Sequence, residues 1–177
     1  MLIEIPEPAL VVLVGRAGAG KSTFAPRHFA AGEIVSSDAI RAELTGSETD
    51  QSRNGEVFRR LHAKVASRLR IGDGITVVDA TNVERHARRE LLQLAAAADI
   101  PAIAIVFDLP LDEVLARNGA RPGRPVPDDI VTRHWQALRQ AISDGSLDGE
   151  GFAIVHLLVD SPTIDAVRIE RAAGPDS

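Results

Sequence analysis

The chain has 177 residues, 45% of them apolar, with mean hydropathy near zero and a formal net charge of −5. That is the composition of one soluble domain with a full core, and its acid excess argues against nucleic-acid binding by bulk electrostatics without excluding a local grip on a strand end. The absence of cysteine excludes disulfides and thiolate metal sites and fits a cytoplasmic protein, no apolar run approaches the ~18 residues of a membrane span, the opening Met1-Leu2-Ile3-Glu4-Ile5-Pro6 carries an acid where a leader would be basic, and histidines 28, 62, 86, 134 and 156 lack ligand pairing.

The first apolar run, over 10–14, reads as a buried strand followed by a helix over 21–30. Between them lies Gly15-Arg16-Ala17-Gly18-Ala19-Gly20-Lys21-Ser22-Thr23, the G-x-x-x-x-G-K-S spacing of a phosphate-binding P-loop. Gly15 and Gly20 let the backbone curl so that successive N–H groups face a triphosphate, and the helix aims its positive end at the anion. Lys21 is expected to reach the outer phosphates and Ser22 to hold Mg²⁺ or Mn²⁺. Gly15, Ala17, Gly18, Ala19, Gly20, Lys21, Ser22 and Thr23 are therefore the candidate site for ATP or another NTP.

A strand over 33–36 leads through Ser36-Ser37-Asp38-Ala39-Ile40-Arg41 into a helix over 38–44. Ligands of open α/β sheets sit beyond the carboxyl ends of the strands, which puts Asp38 beside the triphosphate. It either caps the helix or takes a proton from an attacking hydroxyl, and Arg41, one turn on, would clamp a phosphate of the acceptor. The polar stretch 45–53 reads as a mobile loop before a helix over 54–71. Arg53, Arg59, Arg60, Lys64, Arg68 and Arg70 cluster there, as a solvated face or as a grip on a polynucleotide.

Gly72-Asp73-Gly74 breaks the chain before a strand over 75–79, whose last residue, Asp79, is expected near the waters of the metal ion. Thr81 or Asn82 would line the site or cap the next helix, over 84–98. A strand over 102–108 and a helix over 111–118 follow. The Pro- and Gly-rich stretch 117–129 then reads as a lid whose Arg117, Arg121 and Arg124 contact phosphate, Arg117 foremost. The helix over 128–142 carries His134 and Trp135, the latter for packing or for stacking on a base. A strand over 152–159 and a helix over 162–171, started by Ser161-Pro162, complete an α/β pattern of parallel strands covered on both faces.

Four stretches in order over nearly the whole chain, PEPALVVLVGRAGAGKSTF (6–24), SSDAIR (36–41), TVVDATN (76–82) and VFDLPLDEVLARN (106–118), resemble the kinase domain of the bacterial end-healing polynucleotide kinase-phosphatase and, more broadly, the phage-type polynucleotide 5′-kinases. The resemblance implies a P-loop, adenylate-kinase-like three-layer sandwich with a five-stranded parallel sheet of order 2-3-1-4-5, counted on the strands above, and a lid. It implies Lys21 and Ser22 on the donor phosphates and metal, Asp38 as general base on a polynucleotide 5′-hydroxyl, Arg41 on an acceptor phosphate and Arg117 on the transferring phosphate. The family often carries phosphatase and ligase modules, so the chain is either one unit of a larger polypeptide or a stand-alone kinase domain. Arg16 departs from the pattern, being bulky where small residues are usual.

The leading expectation is a kinase moving the γ-phosphate of an NTP to a DNA or RNA 5′-OH. A small-molecule kinase or toxin-like phosphotransferase, and a non-catalytic NTP-binding module, are the alternatives. Asp38 and the lid favour the two enzymes over the module, and Arg41 with the basic helix favours a polynucleotide acceptor.

Overall fold

The chain enters through a strand that the sequence pattern left unassigned. In the computed structural model, which describes residues 1–120 and 126–173, β1 (Leu2–Glu7) buries Ile3 and Ile5 and exposes Leu2 and Glu4. It pairs in parallel with β7 (Arg168–Ala173), Leu2 opposite Arg168 through Glu7 opposite Ala173. The helix expected over 162–171 is therefore corrected: α7 (Ser161–Asp165) stops after five residues. The charged, helix-compatible stretch after it gives up local propensity for ladder bonds to β1.

The main sheet has the parallel strands that the pattern predicted, in the order that the resemblance implied. β2 (Ala9–Val14), β3 (Ile34–Ser36), β4 (Ile75–Asp79), β5 (Ala102–Phe107) and β6 (Ile154–Leu158) run in parallel in the order β3-β4-β2-β5-β6. Every residue of β2, β4 and β5 is buried, as strands covered on both faces must be.

Alternation along β2 and β5 divides the core in two. Leu10, Val12, Val14, Ala104 and Val106 pack against Val57, Leu61, Val65 and Leu69, spaced one turn apart on α3 (Asn54–Ile71), and against Leu91 and Ala95 of α4 (Arg85–Ala97). Val11, Leu13, Ile103, Ile105 and Phe107 face Phe24 and Ala25 of α1 (Lys21–His28), Val114 of α5 (Leu111–Gly119) and Ile164 of α7. α6 (Asp128–Ser143) gives Val131 to the second core and Leu138 to the first, so it straddles the two faces of the sheet. This arrangement leaves the carboxyl ends of β2, β3 and β4 facing one cleft with α1, α2 (Ser37–Thr45), α5 and α6 around it. Among the described residues no helix is long and apolar enough to cross a membrane.

Candidate active site

The cleft holds about 750 Å³ and is lined by the loop from Arg16 to Thr23, by Ser37, Asp38, Arg41 and Asn54, by Asp79 and Thr81, and by Arg117, Pro127, Ile130 and His134. The P-loop is packed from beneath by β5 and α5. A Cβ at Gly15 would stand 3.0 Å from Phe107 Cβ, and Gly18, at φ +82°, lies so close to α5 that a Cβ would meet the Val114 carbonyl oxygen at 2.9 Å. Gly20 adopts φ 96° as the cap of α1 and sets the N-terminal end of that helix on the cleft. Gly18→Ala is expected to cost about 1–3 kcal/mol and to weaken nucleotide binding, since strain and contact act on one backbone segment. Urea unfolding and nucleotide calorimetry on the same variant check both.

Lys21 is buried, its Nζ donating to the carbonyls of Gly15 (2.5 Å) and Arg16 (3.1 Å). Ser22 and Thr23 are exposed at the mouth of the loop. Arg117, on the last turn of α5, is bonded to Ser161 Oγ and paired with Glu113 at 2.7 Å, and its Nη1 lies 3.4 Å from where a Cβ of Gly20 would stand. Arg121 and Arg124 lie outside the described residues.

Across the cleft, the cap of α2 is Ser36, whose Oγ accepts from the Ala39 N–H, and Asp38 follows in the first turn of the helix. Asp38 Oδ1 instead accepts from Arg41 Nη1 at 2.6 Å. The Arg41 side chain is 6% exposed, and its guanidinium also donates to the Glu48 carbonyl and to Asn54 Oδ1 at 3.0 Å. Its Nε has no hydrogen-bond partner among the described residues. The stretch 45–53, expected as a mobile loop, is laced over this guanidinium by bonds among Thr45, Ser47, Thr49 and Arg41.

Asp79 ends β4 as a buried carboxylate on the cleft. Thr81 and Asn82 do not cap α4, whose cap position is Glu84 without a side-chain bond. Asn82, at φ 50°, donates Nδ2 to the Leu13 carbonyl, and the Thr81 carbonyl accepts from Gly15 N–H, so this turn suspends the start of the P-loop. Among the described residues no cluster of three His, Asp or Glu could hold a metal ion.

Sequence reasoning missed Asn54, which reaches Arg41 across the 45–53 stretch, and underused His134. Burial first, then the charges of Arg133 and Lys21, hold the His134 imidazole below its ordinary range against the opposing pull of Glu84. Neither residue belongs to a recognisable spacing. The basic cluster is also less bare than its count suggested. Arg53, Arg59 and Arg60 converge on Glu56, Lys64 pairs with Glu43, and Arg68 donates to the Gly32 carbonyl. Trp135 takes the packing role, its Nε1 bonded to the Leu109 carbonyl away from the cleft.

Several solved structures share this fold. A chain of the Pnkp1/Rnl/Hen1 RNA repair complex superposes with a TM-score of 0.67 at 24% identity, covering 79% of this chain and 47% of that one. This chain thus spans about half the length of that relative. The Mycobacterium tuberculosis APS kinase CysC, solved with AMPPNP and APS, matches at 20% identity with a TM-score of 0.53 over 91% of this chain and 93% of its own. The AvrRxo1-ORF1:-ORF2 structure with ATP matches at 19% identity with a TM-score of 0.66, over 88% and 55% of the two chains. No curated protein matches the sequence. A family model described as AAA domain spans residues 10–144, well over half of the sequence and the whole run from P-loop strand to α6, and the chain belongs to that family, with a P-loop, kinase-like fold.

Proposed function

We propose that the chain is a polynucleotide 5′-hydroxyl kinase, moving the γ-phosphate of an NTP to the 5′-OH end of DNA or RNA. The observation that carries this reading is the Asp38–Arg41 couple, a carboxylate and a buried guanidinium 2.6 Å apart on the same cleft as Lys21. A nucleotide-binding module has no need of that second, acceptor half. The P-loop beyond Gly15, with Lys21, holds the donor phosphates, and Arg117 contacts the transferring group. The acceptor oxygen attacks the γ-phosphorus, its proton passes to Asp38, and the bond to the bridging oxygen breaks to release the nucleoside diphosphate. Arg41 holds a phosphate of the acceptor strand and, with no acceptor bound, rests on Asp38.

The donor set suits a hard divalent cation. Ser22 offers a hydroxyl and Asp79 a buried carboxylate acting through water, the sparse protein ligation typical of Mg²⁺ held chiefly by waters and phosphates. Bound there, Mg²⁺ or Mn²⁺ would neutralise phosphate charge. The fold shared with a chain of an RNA repair complex, and the span of about half its length, support a kinase unit within a larger end-healing polypeptide.

A second reading, a small-molecule phosphotransferase, is favoured by the local pairing of the α3 cations, which leaves less bare charge for a strand to follow, and by the fold shared with APS kinase. Incubation with γ-labelled ATP, Mg²⁺ and 5′-OH oligonucleotides decides between them. Label on the oligonucleotide supports the first reading, and its absence across salt concentrations sinks it. Arg41→Ala is expected to raise the oligonucleotide KM by about 10-fold or more, the worth of a charged hydrogen bond, with nucleotide affinity little changed. Equal losses on both substrates would remove the acceptor role.

A further inference from the structure

Arg16 is the one large side chain in the run 15–20, and it is fully buried. Its guanidinium donates to the Leu109 carbonyl just beyond β5 and stands 5.8 Å from the Trp135 ring centroid. Trp135, on α6, donates its Nε1 to that same carbonyl at 3.1 Å. A second guanidinium, Arg139, lies 5.5 Å from the ring and pairs with Asp108 at 2.7 Å. One carbonyl is thus shared by the P-loop and α6.

As mere packing this is a poor arrangement. Nε and Nη1 of Arg16, and Oδ1 of Asp108, have no hydrogen-bond partner among the described residues. Burial lowers the Arg16 pKa to about 10, with Asp108 opposing and Arg139 adding to the fall. An apolar side chain would fill such a position at less cost. What an apolar residue could not do is tie the P-loop to the carbonyl that α6 also holds. The backbone carbonyl of Arg16 receives Lys21 Nζ, while its side chain reaches the helix that carries Ile130 and His134 to the cleft.

We propose that Arg16 is a positioning residue that couples occupancy of the P-loop to the setting of α6, and so to the cleft wall formed by Pro127, Ile130 and His134. Phosphates that draw Lys21 off the Gly15 and Arg16 carbonyls change the constraint on the Arg16 backbone. The planar guanidinium, held by Leu109 and stacked on Trp135, passes that change to α6. This rests on the nucleotide-binding part of the proposed function and not on the identity of the acceptor.

Trp135 is the only tryptophan, so its emission reports on the stack directly. Titration of the wild-type chain with Mg·AMPPNP is expected to change that emission along the same saturation curve that calorimetry gives. Arg16→Met is expected to bind about tenfold more weakly and to lose the emission response. Arg16→Lys, which keeps the charge without the planar fork, should lose the response too and serves if the Met variant fails to fold. Arg139→Met strips the other cation from the same ring and should keep it. Binding by the wild type without an emission change, a full response in Arg16→Lys, or an equal loss in Arg139→Met would each overturn the proposal. A wild-type chain that binds no nucleotide overturns the donor-site reading and this coupling with it.

Discussion

Asp38→Asn is expected to lower phosphoryl transfer by about 10²–10⁴-fold while leaving nucleotide affinity nearly intact, the loss typical of a removed general base. The substitution suits the local structure. Ser36 already caps α2, so Asp38 is not needed to start the helix, and an Asn oxygen can still accept from Arg41 Nη1. What disappears is the capacity to take a proton. Because phosphoryl transfer passes through a loose transition state, positioning carries much of the effect, and Asn isolates the proton from the geometry. Asp38→Ala removes both, so the difference between the two variants measures how far the carboxylate also orients Arg41. Single-turnover transfer to the accepted acceptor, beside calorimetric nucleotide binding, provides the measurement. Retained transfer in Asp38→Asn would sink the base assignment, and lost nucleotide binding would make Asp38 structural.

The P-loop and the strands of the main sheet were legible because both are local, whereas the order of those strands came from the family resemblance. A strand, a glycine spacing and a helix start fall within one short segment, and three continuous apolar runs mark strands buried on both faces. Asp38 and Arg41 were legible for the same reason, since residues three apart share a helix face. What was not legible joins distant segments. β7 exists through its pairing with β1, and neither strand has enough buried positions to announce itself. Asn54 meets Arg41 across a polar stretch, and Arg16 meets Trp135 through a carbonyl that belongs to neither helix nor loop motif. The basic cluster shows the converse error. Counting cations along α3 passed over Glu56, one turn away on the same helix, and said nothing of Glu43, which α2 brings to Lys64.

Arg88 is the residue with the largest expected effect on stability, and nothing in its helical context announces it. It is 1% exposed on α4, its fork bonded to both oxygens of Glu150 at 2.6 and 2.7 Å, with Nη1 donating to the carbonyls of Asn82 and Val83. Arg88→Met leaves the buried Glu150 carboxylate with only the exposed Arg85, 3.9 Å away, and is expected to cost about 3–5 kcal/mol, read as a lowered urea midpoint. The double variant Arg88→Met/Glu150→Leu removes both charges and should recover most of that loss, because an apolar pair of similar volume is often as stable as a buried ion pair. It does not restore the two carbonyl bonds behind Asn82, the turn that receives Gly15 N–H and reaches the Leu13 carbonyl. Nucleotide affinity is therefore expected to stay reduced in the double variant after stability has returned. Recovery of both together would show that Arg88 supports the fold alone, whereas recovery of stability without affinity identifies the Arg88–Asn82 contact as the brace on which the phosphate loop is set.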